Sequence, residues 1–114
     1  MLLNIFLIIL IAITIVILFL VIRFQIWKIK ENRLGWRTRP LGRDNILYQE
    51  KIEGEWKGIK IDGELLLHGK VSRIIYFKTD SEWVEYPKWA RDRKKIIQRV
   101  KINYPPQRTE YENG

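Results

Sequence analysis

The sequence predicts an α+β protein: a single N-terminal transmembrane helix, then a small antiparallel β-meander with one C-terminal amphipathic helix. Three observations carry this. An uncharged apolar run occupies residues 2–22. Short alternating segments rich in β-branched and aromatic residues fill 46–78. A helical period takes over at Pro87 and lasts to Asn103.

The run LLNIFLIILIAITIVILFLVI is 21 residues long, and only Asn4 and Thr14 interrupt it. As a helix it reaches roughly 30 Å, the thickness of a bilayer's hydrocarbon core. A helix satisfies its own backbone, so lipid strands no polar group. A chain of 114 residues has too little else to cover such a helix as a core element. A cleavable signal peptide is excluded on composition: no Lys or Arg precedes the run, the apolar stretch is too long, and Leu18, Phe19, Leu20 and Ile22 do not make a cleavage site. The expectation is a retained single-pass anchor over residues 1–30, including a basic extension that the period of Ile26 and Ile29 continues.

Charge sets the expected orientation. Arg23, Lys28, Lys30, Arg33, Arg37 and Arg39 flank the span on its C-terminal side, against Glu31 alone. The positive-inside rule then places the following domain in the cytoplasm and the N-terminus outside, in a cell or bacterial inner membrane. Arg23, Phe24, Trp27, Lys28 and Lys30 are the expected membrane-interface residues, with lipid as their partner: aromatic rings sit at headgroup depth and basic side chains snorkel. The absence of cysteine agrees with a reducing compartment but discriminates little.

The net charge of +8 is unevenly spread. Residues 23–43 carry seven basic and one acidic side chain, residues 44–87 six and nine, and residues 88–101 seven and one. A uniformly basic chain would suggest nucleic acid. Here the first block abuts the membrane, where anionic lipid attracts it. The second reads as a solvated helix face, and in a membrane-anchored chain nucleic acid is not the expected partner.

Residues 31–45 contain Gly35, Pro40 and Gly42 and no apolar period, and read as a linker. Residues 46–104 read as the soluble domain. ILYQEKI alternates Ile46, Tyr48, Glu50 and Ile52 against Leu47, Gln49 and Lys51; Ile59 and Ile61 continue at period two. Asp62-Gly63 is the hairpin signal before the return segment ELLLHG. Glu53-Gly54 is a further turn that would pair the first two strands. A break at His68-Gly69-Lys70 leads to VSRIIYF. From Pro87, Trp89, Ile96 and Val100 fall on one side, with Ile97 and Tyr104 beside them, until Pro105-Pro106 stops the helix. Residues 105–114 read as a flexible tail. In so small a domain Trp56, Trp83 and Trp89 are expected to do much of the burying.

No catalytic constellation is visible. His68 stands alone without cysteine, so neither a zinc site nor a Cys–His pair is available. Ser72 and Ser81 lack a nucleophile elbow. The glycines are dispersed and form no phosphate-cradling loop. Glu53/Glu55 and Asp62/Glu64 share strand faces, a common arrangement on solvated hairpins. The reading is a non-enzyme with no cofactor, no metal and no evident small-molecule substrate.

One resemblance spans about half the chain. Tyr48 and Glu50 (Y-x-E), Ile59 to Leu66 (I-x-I-D-x-E-L-L), Ile74 to Tyr76 (I-I-Y), Trp83, Pro87 and Arg93 to Ile97 (R-x-x-I-I) follow in an order similar to that of small bacterial immunity domains of polymorphic-toxin systems. The resemblance implies a binding function and brings no catalytic residues. The expected function is therefore a membrane-anchored domain that binds another protein, in its specific form a toxin-neutralising immunity protein. An accessory or regulatory subunit of a membrane complex is the alternative. Arg91, Lys94, Lys95 and Arg99 are the expected partner-binding residues, a basic helix face whose like charges an acidic partner would relieve.

Overall fold

The computed structural model describes residues 1–114 as two compact units, Met1–Gly35 and Trp36–Gly114. The first is one helix, α1 (Leu2–Leu34), about 50 Å long. None of its residues is buried. The Thr14 hydroxyl donates to the Leu10 carbonyl at 2.8 Å, so it needs no partner from outside the helix. The helix is long and apolar enough to cross a membrane. It also runs further than the sequence indicated. Gly35, at φ 76°, ends it in the left-handed conformation, and its N–H donates to the Glu31 carbonyl at 3.0 Å.

The second unit is a five-stranded sheet in the order β1-β2-β3-β4-β5, with its helices against one face. The expected linker over residues 31–45 is not one. It holds the end of α1, then β1 (Trp36–Leu41), which pairs antiparallel with β2 (Asn45–Ile52) from Trp36↔Glu50 to Leu41↔Asn45. Pro40 is tolerated because β1 is an edge strand. Its alternation is Trp36, Thr38 and Pro40 against Arg37 and Arg39, too poor in apolar residues to read as a strand.

β2 and β3 (Glu55–Leu65) form the central hairpin. Glu53 and Gly54 have φ of 51° and 82°, so both turn positions are left-handed, as a tight two-residue hairpin demands. The hairpin turn expected at Asp62-Gly63 is overturned: β3 passes straight through it. Gly63 is needed for close approach, not for a bend. A Cβ there would sit 2.7 Å from the Asp44 carbonyl oxygen and 2.9 Å from that of Ile74. The side chains of Asn45 and Asp44 accept from the Gly63 and Leu65 N–H groups at 3.2 and 3.0 Å, completing the edge of β3 where β2 has ended.

β4 (Arg73–Tyr76) pairs antiparallel with the end of β3. The polar stretch after it forms a one-turn helix, α2 (Asp80–Trp83), closed by a reciprocal Thr79–Glu82 capping box. The single helix expected over 87–103 is split. Lys88–Ala90 is a 3-10 turn, and α3 (Arg93–Asn103) starts afresh with Asp92 accepting from the Lys95 N–H at 3.3 Å. The expected flexible tail holds β5 (Thr109–Glu112), which pairs parallel with β4. The sheet is thus antiparallel over four strands and parallel at the fifth. Backbone bonds at both ends hold β5, Ser72 N–H to Arg108 O at 2.8 Å and Phe77 N–H to Glu112 O at 3.0 Å.

The core lies between the sheet and the helices. Ile46, Tyr48, Ile59, Ile61 and Ile75 face Trp83, Tyr86, Ile96 and Val100. Of the three tryptophans expected to bury, only Trp83 does; its indole N–H donates to the Ala90 carbonyl at 2.6 Å, and Tyr86 meets it edge-on at 4.8 Å. Trp89 is half-buried on the core's rim because the 3-10 turn takes it off the α3 stripe. Trp56 lies on the other sheet face.

We predict that Gly63→Ala destabilises the protein by about 1–3 kcal/mol, because both crowding atoms are backbone and cannot swing away. Urea unfolding followed by tryptophan fluorescence measures this. A midpoint unchanged from the parent would show that β3 has room at this position.

Candidate interaction surfaces

On α1, the five expected interface residues Arg23, Phe24, Trp27, Lys28 and Lys30 are all exposed. Phe24 and Trp27, three apart on a helix, are neighbours with ring centroids 6.0 Å apart, and the Arg23 guanidinium lies 5.8 Å over the Phe19 ring. The segment therefore offers an apolar cylinder with aromatic and basic side chains at one end.

On the domain, the structure divides the four expected partner-binding residues. Arg91 is off α3, in the loop before it, and its Nε donates to the Tyr86 carbonyl at 3.1 Å. Lys94 is exposed on α3. Lys95 and Arg99, one helical turn apart, share a line on α3 and both reach Glu50 on β2. The Lys95 Nζ is 3.2 Å from Glu50 Oε1 and the Arg99 Nη1 is 2.9 Å from the same oxygen. Arg99 also donates to the Tyr48 hydroxyl at 3.0 Å and lies 5.3 Å over the Trp36 ring, which stacks on Tyr48. The four do not form one repelling basic face. Two share one carboxylate from the sheet, which offsets one of their two charges, and Arg91 and Lys94 remain outward.

Glu50 is the residue that sequence reasoning missed. Its side chain is only 9% exposed, and its Oε2 is buried without a protein donor. A buried carboxylate survives only when cations and hydrogen bonds hold it. The signal was present: Glu50 shares a strand parity with Ile46 and Tyr48, the buried side of an alternating segment. What sequence could not supply was its partner, 49 residues away. Burial pushes the Tyr48 hydroxyl up to about 12, with the nearby Glu50 charge adding to the rise and Arg99 opposing it. Burial likewise pushes Tyr86, which donates to the Lys60 carbonyl at 2.8 Å, up to about 12.

The remaining chemistry-bearing residues stay apart. His68 is exposed in the loop after β3. Asp62 pairs with Lys60 at 3.7 Å, and Glu64 accepts from the Tyr76 hydroxyl at 2.9 Å. No three His, Cys, Asp or Glu side chains gather where they could hold a metal ion. Comparison with protein-family models, with curated proteins and with solved structures gives no match.

Glu50→Ala leaves Lys95 and Arg99 without their shared acceptor and opens a space beside Tyr48. We predict a loss of about 2–3 kcal/mol, reduced from a fully buried pair because both cations can turn toward water. Lys94→Ala is expected to stay within about 0.5 kcal/mol. Equal urea midpoints for the two variants would show that the Glu50 cluster does not hold α3 on the sheet.

Proposed function

We propose that this chain is a single-pass protein of a bacterial inner membrane, N-terminus outside, whose α+β domain works in the cytoplasm by binding another protein. In its specific form it is an immunity-type protein that neutralises a toxin near the inner membrane face. One observation carries the reading: an uncharged 21-residue span followed at once by a flank with six basic residues and one acidic residue up to Arg39. The binding part of the proposal draws on the residue order from Tyr48 to Ile97 that resembles immunity domains. It also draws on a compact domain whose ionisable groups pair within the fold. Arg91 and Lys94 are the members of the basic face left to meet an acidic partner. Such rim charges act mainly on association rate and specificity.

Topology is tested first. A C-terminal fluorescent-protein fusion should be bright and a C-terminal alkaline-phosphatase fusion inactive. The reverse pattern would place the domain outside and remove the cytoplasmic partner with it.

Binding is tested in living cells by a photo-crosslinker at position 94. The expected result is a protein adduct of defined mass. Replacing Arg91 with Glu, in a chain carrying the crosslinker, should reduce that adduct several-fold at low ionic strength. An adduct that never forms, or that is indifferent to Arg91→Glu, would exclude this face as the binding surface.

A further inference from the structure

β5 is an edge strand, and it alone joins the sheet in parallel. It follows Pro105-Pro106. Between residues 105 and 114 only Thr109 is buried and only Tyr111 is half-buried. Parallel pairing is slightly weaker per residue than antiparallel pairing. A segment with so little apolar burial belongs to the low-stability end of a fold, where local opening costs least.

The bed beneath this segment is specific. β4 sets the register from Arg73↔Thr109 to Tyr76↔Glu112. The Tyr111 ring stacks on Phe77 with centroids 6.1 Å apart, and the Lys101 ammonium lies 4.8 Å over the Tyr111 ring. The Tyr111 hydroxyl donates to the Tyr104 carbonyl at the end of α3. Beyond β5 the Asn113 amide donates to the Phe77 carbonyl at 3.2 Å, and the Asn113 carbonyl accepts from Nη2 of Arg93. The groove thus takes a small residue, an aromatic two positions on, and an amide two positions further. If the segment lifts, Phe77, now 2% exposed, loses the ring stacked on it and β4 becomes a bare edge. Lys101 loses its aromatic partner and Arg93 one of its acceptors at the same moment. A bare edge beside an apolar ring is a template for another strand.

The geometry points to an exchangeable strand-binding groove along β4, filled in cis by residues 109–114 and taken by an extended segment of a partner protein with the same pattern. The segment adds parallel to β4; main-chain hydrogen bonds supply affinity, and the aromatic on Phe77 under Lys101 supplies specificity. The chain's own β5 is then an autoinhibitory strap. Its short tether to α3 gives it a high effective concentration that a free strand must overcome. The inference rests on the protein-binding reading only for the class of partner. Membrane topology and the face with Arg91 and Lys94 have their own tests, and the groove's failure would leave both standing.

The probe is a fluorescent peptide of residues 107–114, QRTEYENG, offered to the full chain in phosphatidylcholine nanodiscs. Fluorescence anisotropy reads its binding. The parent should bind it weakly, because its own strap competes. Tyr111→Ala with Asn113→Ala weakens the strap, leaves Phe77, Lys101 and Arg93 in place, and should bind the peptide about tenfold or more tighter. A peptide carrying Tyr111→Ala should lose that gain. The sequence has no cysteine, so Ile74→Cys with Glu110→Cys, partners in the β4–β5 register, can lock the strap by a disulfide. The oxidised form should exclude the peptide, and the reduced form should bind it as the parent does. Binding by no form at peptide concentrations up to about millimolar would overturn the proposal. So would a double alanine variant no tighter than the parent, an aromatic-free peptide that binds equally, or an oxidised form that binds as well as the reduced one. Should the alanine variant lose the parent's near-ultraviolet circular dichroism, the locked pair decides alone.

Discussion

Two cations of α3 converge on one carboxylate of β2, and the arrangement of the domain depends on that tie. Glu50 stands on the buried side of its strand, where an unpaired charge would be untenable. Lys95 and Arg99 answer it from successive turns of α3. The contact sets α3 over β2 at one end, and the Asn103 amide, donating to the Thr38 hydroxyl at 2.7 Å, ties the helix to β1 as well. Ile96 and Val100 then meet the sheet between these polar ties. An apolar stripe alone specifies that a helix packs, but leaves it free to slide. A carboxylate reached from two positions of one helix restricts that sliding.

The same tie changes what the charge distribution means. By composition the chain has a basic helix and a more acidic sheet, which reads as two surfaces awaiting partners. In three dimensions part of that opposition is consumed internally. Arg93, at the start of α3, also ties elements together: its Nε donates to the Lys78 carbonyl at 3.0 Å, and its Nη2 donates to the Asn113 carbonyl beyond β5. Several cations of this basic stretch thus hold elements together. The charge left over for recognition is smaller and differently placed, with Lys94 outward on α3 and Arg91 outward in the loop before it.

The first unit is long and apolar enough to cross a membrane. None of its residues is buried, and the Thr14 hydroxyl is satisfied within the helix. Those are the properties a bilayer selects, because lipid rewards apolar surface and punishes unpaired polar groups. The helix continues for twelve residues past the apolar run, from Arg23 to Leu34, and Gly35 alone separates it from β1. A change from helix to strand across one residue needs a backbone that enters the left-handed region, and glycine does so without a steric penalty.

By itself the sequence determined whatever depends on neighbours a few positions away. The length and apolarity of α1 make it fit to cross a membrane. The positive φ tolerated at Glu53-Gly54 decides the β2–β3 hairpin, and Pro105-Pro106 bars α3 from continuing. Tertiary structure decided whatever depends on partners far along the chain. β1 and β5 are strands because β2 and β4 supply their hydrogen bonds; alone, WRTRPL and TEYE lack the apolar alternation that marks a strand. Gly63 looks like a turn until the Asp44 and Ile74 backbones press against it. Lys95 and Arg99 look like a solvated face until Glu50 arrives from β2. The physical reason is common to all four. Local propensity and period act through the chain's own covalent geometry, whereas strand pairing and buried ion pairs take their energy from groups that only the fold brings within reach.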